Sequence, residues 1–220
     1  MKTAVLFGGF LRPTPPEEYG LFYWVIFMKL VRGFGFNDAD YVVRPIINGR
    51  RAWCPAYMAW QNMLDRCYSD KLHKRRSTYI GVTVCDKWRS FMKFREWWLE
   101  NHVDGWQLDK DLLTDSREYS PESCIYIPSW LNTFTIGCDS ARGEFPIGVD
   151  YHKKSNSFRS RCRNPANGSR EEITGFKTPE DAHLAWRARK LEYAAQMKNE
   201  MDAIDERIYH RVVEITNRAK

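Results

Sequence analysis

Apolar and polar positions repeat with different periods along the chain. In "PAYMAWQNMLDRCY" (55–68), Trp60, Met63, Leu64 and Cys67 recur at i, i+3, i+4 and i+7. That spacing predicts a helix with one buried face, and Pro55 takes the first-turn position that tolerates proline. "WRSFMKFREWWLEN" (88–101) repeats the helical period through Phe91, Phe94 and Trp98, and "NHVDG" ends it. Between the two, "KLHKRR" (71–76) reads as a basic loop. "YIGVTVCDKW" (79–88), rich in β-branched residues, reads as a strand.

The period changes again at Gln107. "QLDKDLL" (107–113) predicts a strand, "TDSRE" (114–118) a turn, "CIYIP" (124–128) a second strand, and "SWLNTFT" (129–135) a helix with Ser129 as its cap. The order is strand, turn, strand, helix. "GCDSARGEFP" (137–146) reads as a linker. Beyond it, "IGVDYH", "SFRSRCR" and "EEITGFK" predict three short strands. "TPEDAHLAWRARKLEYAAQMK" (178–198) predicts a helix capped by Thr178, with Pro179 in the first turn and Glu180 and Asp181 matching the dipole. Ala182, Trp186, Tyr193 and Met197 form its buried stripe. Met201, Ile204, Ile208 and Ile215 continue an apolar face, so the helix is expected to run on and pack against the rest of the chain.

The first 50 residues carry weaker signals. Asn37-Asp38 reads as a turn, and "DYVVRP" (40–45) as a short strand stopped by Pro45. "LFYWVIFMKLV" (21–31) is strongly apolar but short of the roughly 20 residues a membrane helix needs. It follows "RPTPPEE", a poor flank for a signal peptide, and is expected to be a buried strand or helix.

The 220 residues, 43% hydrophobic and 15% aromatic, suffice for a packed core and one or two domains. Lys and Arg number 34 against 28 Asp and Glu, a net charge of +6. This favours an anionic partner, nucleic acid first. Cysteines 54, 67, 85, 124, 138 and 162 include no C-x-x-C pair. They read as small buried hydrophobes in a reducing cytoplasm rather than a zinc site or disulfide framework. No nucleotide-binding glycine loop, haem motif or Ser/His/Asp arrangement stands out, and nothing specifically favours a protein partner.

A strand–turn–strand–helix unit can hold one hard cation between its first strand and its helix. Asp109 offers a carboxylate oxygen and Asn132 an amide oxygen from the first helical turn. Such ligands suit Mg²⁺ or Mn²⁺, which can polarise a scissile phosphate. On residue types alone the alternative is a plain α+β core, with Asp109 in a surface turn and Asn132 capping or solvating the helix.

Several stretches carry a family resemblance. Trp60, Met63, Arg66, Cys67 and Tyr68, then Val84, Asp86, Trp88 and Phe91, then "LDKD" (108–111), "YSPE" (119–122) with Cys124, and Leu131-Asn132 occur in order. Over about 55–135 this resembles bacteriophage proteins related to the HNH endonucleases, many of them homing enzymes. The resemblance implies metal binding by Asp109 and Asn132 and a structural role for Ser123, which stands where the family has Asn. Lys110 stands where the family has its general-base His. A lysine with an ordinary pKa of about 10.4 is protonated and suits phosphate contact or charge stabilisation better than proton abstraction. Asp111, His102 and His73 are then the candidate bases.

"SFRSRCR" (157–163) carries the second candidate surface. Strand alternation puts Arg159, Arg161 and Arg163 on one face and sends Phe158 and Cys162, with Ser160 between them, to the core. Three guanidiniums repel one another without a partner and can meet guanine edges or phosphates. Lys153 and Lys154 are placed to contact phosphate. The alternative is a solvated strand face. "PIGV" (146–149), "FRSR" (158–161), "GF-x-TPEDA" (175–182) and "AW-x-x-x-K" (185–190) resemble the Apetala/ethylene-response-factor domain over about 144–198. That resemblance implies a three-stranded antiparallel sheet on one helix, reading DNA with the sheet.

The combined expectation is an α+β chain. Residues 1–50 have no assigned role, 51–136 form an HNH-like strand–strand–helix metal core with preceding helices, 144–198 the DNA-binding sheet and helix, and 199–220 a helical extension. The function expected is metal-dependent cleavage of double-stranded DNA by Asp109, Lys110 and Asn132 with one divalent ion. The alternative is a phage DNA-binding or regulatory protein that keeps the scaffold without catalysis. No membrane or nucleotide cofactor is expected.

Overall fold

A computed structural model describes residues 29–135 and 144–220, and the backbone of strands β1 (Val5–Phe7) and β2 (Phe10–Arg12), which pair antiparallel. Most of the apolar run 21–31, most of the linker 137–146 and Cys138 lie outside the described residues. The chain is mixed α+β and divides into two compact units, Met1–His102 with Ser116–Cys124 and Val103–Asp115 with Ile125–Lys220. This division differs from the segments 51–136 and 144–198: the predicted strand–strand–helix element folds with the C-terminal sheet.

In the first unit, a hairpin of β3 (Ile46–Ile47) and β4 (Arg50–Arg51) leads into helix α1 (Pro55–Tyr68). The strand expected at 40–45 is not assigned as strand: regular pairing starts at Ile46, Val43 and Pro45 add one backbone bond each to Cys54 and Ala52, and Asn48-Gly49 supplies the turn with φ 51° and 75°. Paired positive φ values make the tight hairpin turn that Asn-Gly favours. Asn37 does form a turn, its side chain accepting from Ala39 N at 3.2 Å.

Trp60, Met63, Leu64 and Cys67 of α1 are buried, as their spacing predicts. After α2 (Asp70–His73), part of the expected basic loop, the expected strand 79–88 shortens to β5 (Thr83–Val84) and a 3-10 turn, Asp86–Arg89. Gly81 at φ 77° turns the chain into β5, and the 3-10 turn delivers Trp88 into the core. There it packs 4.8 Å from the Trp97 ring of α3 (Phe91–Asn101). Trp97, not the predicted Trp98, therefore completes the buried face with Phe91 and Phe94; Trp98 stacks on His102 at 4.1 Å. Ser90 caps α3, accepting from Lys93 N at 3.1 Å, and Asp38 adds an acceptor for Met92 N at 2.9 Å.

In the second unit, β6 (Gln107–Asp109) pairs antiparallel with β8 (Ile125–Ile127), and helix α4 (Ser129–Thr135) follows. Between them, β7 (Glu118–Tyr119) returns to the first unit and pairs in parallel with β5. Ser129 is the first helical residue rather than the cap. The carbonyl of Pro128 accepts the opening bonds from Leu131 and Asn132, and the Ser129 hydroxyl accepts from Gln107 Nε2 at 3.1 Å.

Strands β9 (Val149–His152), β10 (Ser157–Arg163) and β11 (Arg170–Phe176) form the expected three-stranded antiparallel sheet, with β10 central. Its inner face lies on helix α5 (Pro179–Gln196), whose cap Thr178 accepts from Asp181 N at 3.2 Å. The apolar face beyond α5 is broken rather than continuous, into α6 (Lys198–Asp202) and α7 (Arg207–Arg218), which folds back on α5. One core joins Leu112, Ile127, Leu131 and Phe134 to Cys162, Trp186, Tyr193, Met201 and Ile208. Gly148, at φ 79°, lets the backbone pass under the Trp186 ring, where a Cβ would sit 2.1 Å from Cδ1.

Asp115, just beyond β6, accepts from Arg211 and Arg218 of α7 at 2.8 Å each, and Arg211 Nε donates to the Leu112 carbonyl at 3.1 Å. The C-terminal helix therefore pins the turn that follows β6. Cys67, Cys124 and Cys162 are buried, and Cys54 and Cys85 are half-buried free thiols. Among the described residues, no helix is long and apolar enough to cross a membrane.

Candidate functional site

The strand–strand–helix element positions Asp109, Lys110 and Asn132. Gln107 and Asp109 share a face of β6, since side chains alternate along a strand. The Asn132 amide donates from Nδ2 to Gln107 Oε1, which ties the first turn of α4 to that face of β6. Gln107 also bonds Ser129, so one side chain fixes the helix to the strand, a role the sequence reading missed.

Asp109 Oδ1 accepts from the backbone N–H groups of Asp111 at 2.9 Å and Leu112 at 2.8 Å. The residue thus caps the turn after β6, as in the plain reading of its place in the chain. Burial pushes its carboxyl pKa up, against the backbone bond from Leu112 that pulls it down. Lys110 is only 5% exposed, and its ammonium pairs with exposed Asp111. Ser123 lies in the first unit, where its hydroxyl donates to the Glu118 carbonyl at 2.6 Å and accepts from Ser120 N at 3.0 Å. A loop-tying role therefore suits it. His73 Nε2 lies 2.9 Å from the Arg66 carbonyl and His102 stacks on Trp98, both also in the first unit.

Asp109 and Asn132 offer two hard oxygen donors, and Mg²⁺ commonly completes its shell with water and phosphate. Both backbone bonds to Asp109 fall on Oδ1. Two such donors make only a partial set, the rest of a shell being left to water and phosphate. They do not make an all-protein cage: among the described residues, no three His, Cys, Asp or Glu side chains cluster for a metal.

Asp109 separates structure from chemistry experimentally. Asp109→Asn keeps an acceptor for both N–H groups and is expected to melt within a few degrees of the wild type near neutral pH. Asp109→Ala leaves both donors unpaired and is expected to cost about 1–2 kcal/mol. A carboxyl whose folded pKa is raised binds its proton more tightly folded than unfolded. Its favourable contribution is thus present in acid and is lost as pH rises from the ordinary carboxylate value through the raised one. Melting curves from about pH 3 to about pH 7 should show the wild type losing stability relative to Asp109→Asn across that window. Parallel profiles would remove the buried charge from the account.

On the sheet, Ser160 and Cys162 face the core and Phe158 is half-buried, with Arg159, Arg161 and Arg163 on the outer face as predicted. The arginines are not a single-sign cluster, however. Arg159 and Arg161 each pair with Asp150 at 2.8 Å, and Arg159 also pairs with Glu172 at 3.1 Å. Burial alone would raise the Asp150 carboxyl, but the two guanidiniums outweigh it and hold its pKa low. Pairs of this partly exposed kind contribute little net stability.

Arg163 is different. The register sets it opposite Arg170, both are exposed, and neither has an ion pair among the described residues. Lys153 and Lys154 are exposed in the turn between β9 and β10. A cleft of about 280 Å³ opens beside Arg163, between α4 and the end of β10, lined by Trp130, Thr133, Asn164 and Lys190 among others and by no carboxylate. Lys190 also lies 3.6 Å over the Phe134 ring. The cleft has no local sequence signal, because its walls come from residues 129–134, 163–168 and 190. Comparison of the chain with family models, with curated proteins and with solved structures returned no match.

Proposed function

We propose that this chain is a double-stranded-DNA-binding protein of the HNH endonuclease kind, with the C-terminal sheet as its DNA contact. The Arg163–Arg170 pair carries the reading. Like charges directly opposite on neighbouring strands are destabilising, and one of the two, Arg163, lines a cleft that also holds Lys190 and no acid. A phosphate would relieve that repulsion, with the arginines binding it as charge-assisted donors. Arg159 and Arg161, held by Asp150, are preset for base edges or phosphates, and Lys153 and Lys154 add positioning contacts.

For cleavage, Mg²⁺ or Mn²⁺ held by Asp109 and Asn132 would polarise a scissile phosphate. Asp109 would orient through its capped turn and Asn132 through its bond to Gln107. A second reading, DNA binding without hydrolysis on a retained HNH-like scaffold, is favoured by Lys110. At the place of the family's base, it is buried and paired with Asp111.

Gel-shift titrations with a duplex should show Arg163→Ala/Arg170→Ala binding roughly tenfold more weakly near 0.1 M salt, with a shallower salt dependence. Its melting temperature should be equal or slightly higher. Unchanged affinity and salt slope would withdraw the sheet as the contact. A parallel plasmid-nicking assay in Mg²⁺ and Mn²⁺ distinguishes the two forms. Nicking that disappears in Asp109→Asn establishes the endonuclease, whereas binding without nicking in either metal leaves the scaffold reading.

A further inference from the structure

The hairpin before α1 presents a second cationic surface, on the other unit of the chain. Beyond its two paired residues per strand, the ladder extends through Ala52 N to Pro45 O at 2.8 Å and Cys54 N to Val43 O at 2.9 Å. The arms are thus 43–47 and 50–54, closed by the Asn48-Gly49 turn. Alternation sorts them into two faces. Val43, Pro45, Ala52 and Cys54 on one face are half-buried, while Arg44, Ile46, Arg51 and Trp53 on the other are all exposed.

Ile46 is 70% exposed and Trp53 38%. The Arg44 guanidinium lies 3.9 Å over the Trp53 ring and is ordered by that stack. Near the tip, Ile47 is 55% exposed and Arg50 is also exposed. The sequence holds no Asp or Glu between Asp40 and Asp65, so no acid within the hairpin offsets Arg44, Arg50 and Arg51. An exposed face that mixes guanidiniums with single apolar groups and excludes carboxylates is complementary to an anionic surface bearing apolar spots.

We propose that this hairpin is a second duplex-DNA contact that enters the major groove. A two-stranded ribbon fits that groove, arginine reaches guanine edges or phosphates, and an aliphatic side chain such as Ile46 can meet a thymine methyl. The groove offers both chemistries side by side, which the alternation of Arg44, Ile46, Arg51 and Trp53 matches. The inference rests on the DNA reading of the C-terminal sheet and deepens it. Each unit carries its own contact, and two linked contacts bind far more tightly than either alone.

The test measures fluorescence anisotropy of a labelled duplex with the full chain across a salt series. Variants are Arg44→Ala/Arg50→Ala/Arg51→Ala, Ile46→Ser, and the Arg163→Ala/Arg170→Ala sheet variant. The triple variant should bind about 10- to 100-fold more weakly near 0.1 M salt, its salt slope reduced by roughly 2 to 3, one unit for each lost phosphate contact. The melting temperature should stay unchanged, because these side chains are exposed. Ile46→Ser should keep the slope and narrow the gap between preferred and random duplexes.

If the wild type binds and the sheet variant weakens it while the triple variant retains wild-type affinity and slope, the hairpin inference is overturned and the sheet reading stands. Absence of binding by the wild type overturns both. Hairpin-dependent binding to phosphatidylserine vesicles, with DNA binding unaffected by the triple variant, overturns the groove assignment in favour of a lipid surface.

Discussion

Gly148→Ala is expected to lower the stability of the second unit by about 2–5 kcal/mol. Gly148 sits at φ 79°, where a side chain costs about 1–2 kcal/mol through clash with its own backbone. A methyl group there would also meet Trp186 at 2.1 Å from Cδ1 and 2.3 Å from Cγ. The ring cannot retreat freely: it is buried in the core shared with Cys162, Ile127 and Leu131. Displacing it adds about 1–3 kcal/mol of overpacking. Strand β10 would feel the shift, because Arg161 N donates to the Gly148 carbonyl at 2.7 Å. Gly105→Ala is the matched control, since it has the same φ of 79° and open space around its missing Cβ. It should cost only the backbone part, about 1–2 kcal/mol. Equal melting temperatures for the two variants would show that Trp186 yields without cost.

Trp60→Ala is expected to be at least as severe in the first unit, about 3–5 kcal/mol. The indole is fully buried against Phe91 at 5.6 Å, and its Nε1 donates to the Trp88 carbonyl at 2.7 Å. Alanine opens a cavity and leaves that carbonyl unpaired. Against a total stability of about 5–15 kcal/mol for a typical domain, the loss should appear as reduced soluble yield and a lower urea midpoint. Gly35 sharpens the test, because a Cβ there would lie 2.4 Å from the Trp60 ring. Gly35→Ala alone should clash with Trp60 and with Leu64 Cδ1 at 2.8 Å, whereas in the Trp60→Ala background only the end of the Leu64 side chain has to give way. A double-mutant cycle should therefore show strong favourable coupling. Additive losses would mean that the cavity collapses before Gly35 can fill it.

Long periodic stretches were the legible part of the sequence. The stripe of α1, the Thr178 cap and three strands beyond residue 146 carry local signals, and the structure contains them. What local pattern could not supply was pairing over long separations. Trp97 replaces Trp98 because Trp88 arrives from a 3-10 turn, and Asp38 reaches across to the start of α3. At the candidate site, the direction of the β10 arginines was legible from alternation. The neutralisation of Arg159 and Arg161 by Asp150 and Glu172 was not, because it depends on the register of three strands. The turn-capping bonds of Asp109 are local, yet a carboxylate that caps a turn and one that binds a cation have the same sequence. Gln107, which holds Asn132, had no signal beyond its place two residues before Asp109.

The ties between Asp115 and α7 also bear on when the second unit can finish folding. Leu112 and Asp115 meet partners 96 to 103 residues further along the chain. Closing loops of that length is a slow part of folding, since entropy is lost before the contacts reward it. During synthesis, the turn after β6 is made long before Arg211 and Arg218 emerge to hold it. A nascent chain lacking α7 would lack Ile208 and Val212, members of the core that Leu112 and Leu131 share. The element bearing Asp109 and Asn132 therefore completes its packing only once translation has passed Arg218, a built-in delay between making that turn and holding it.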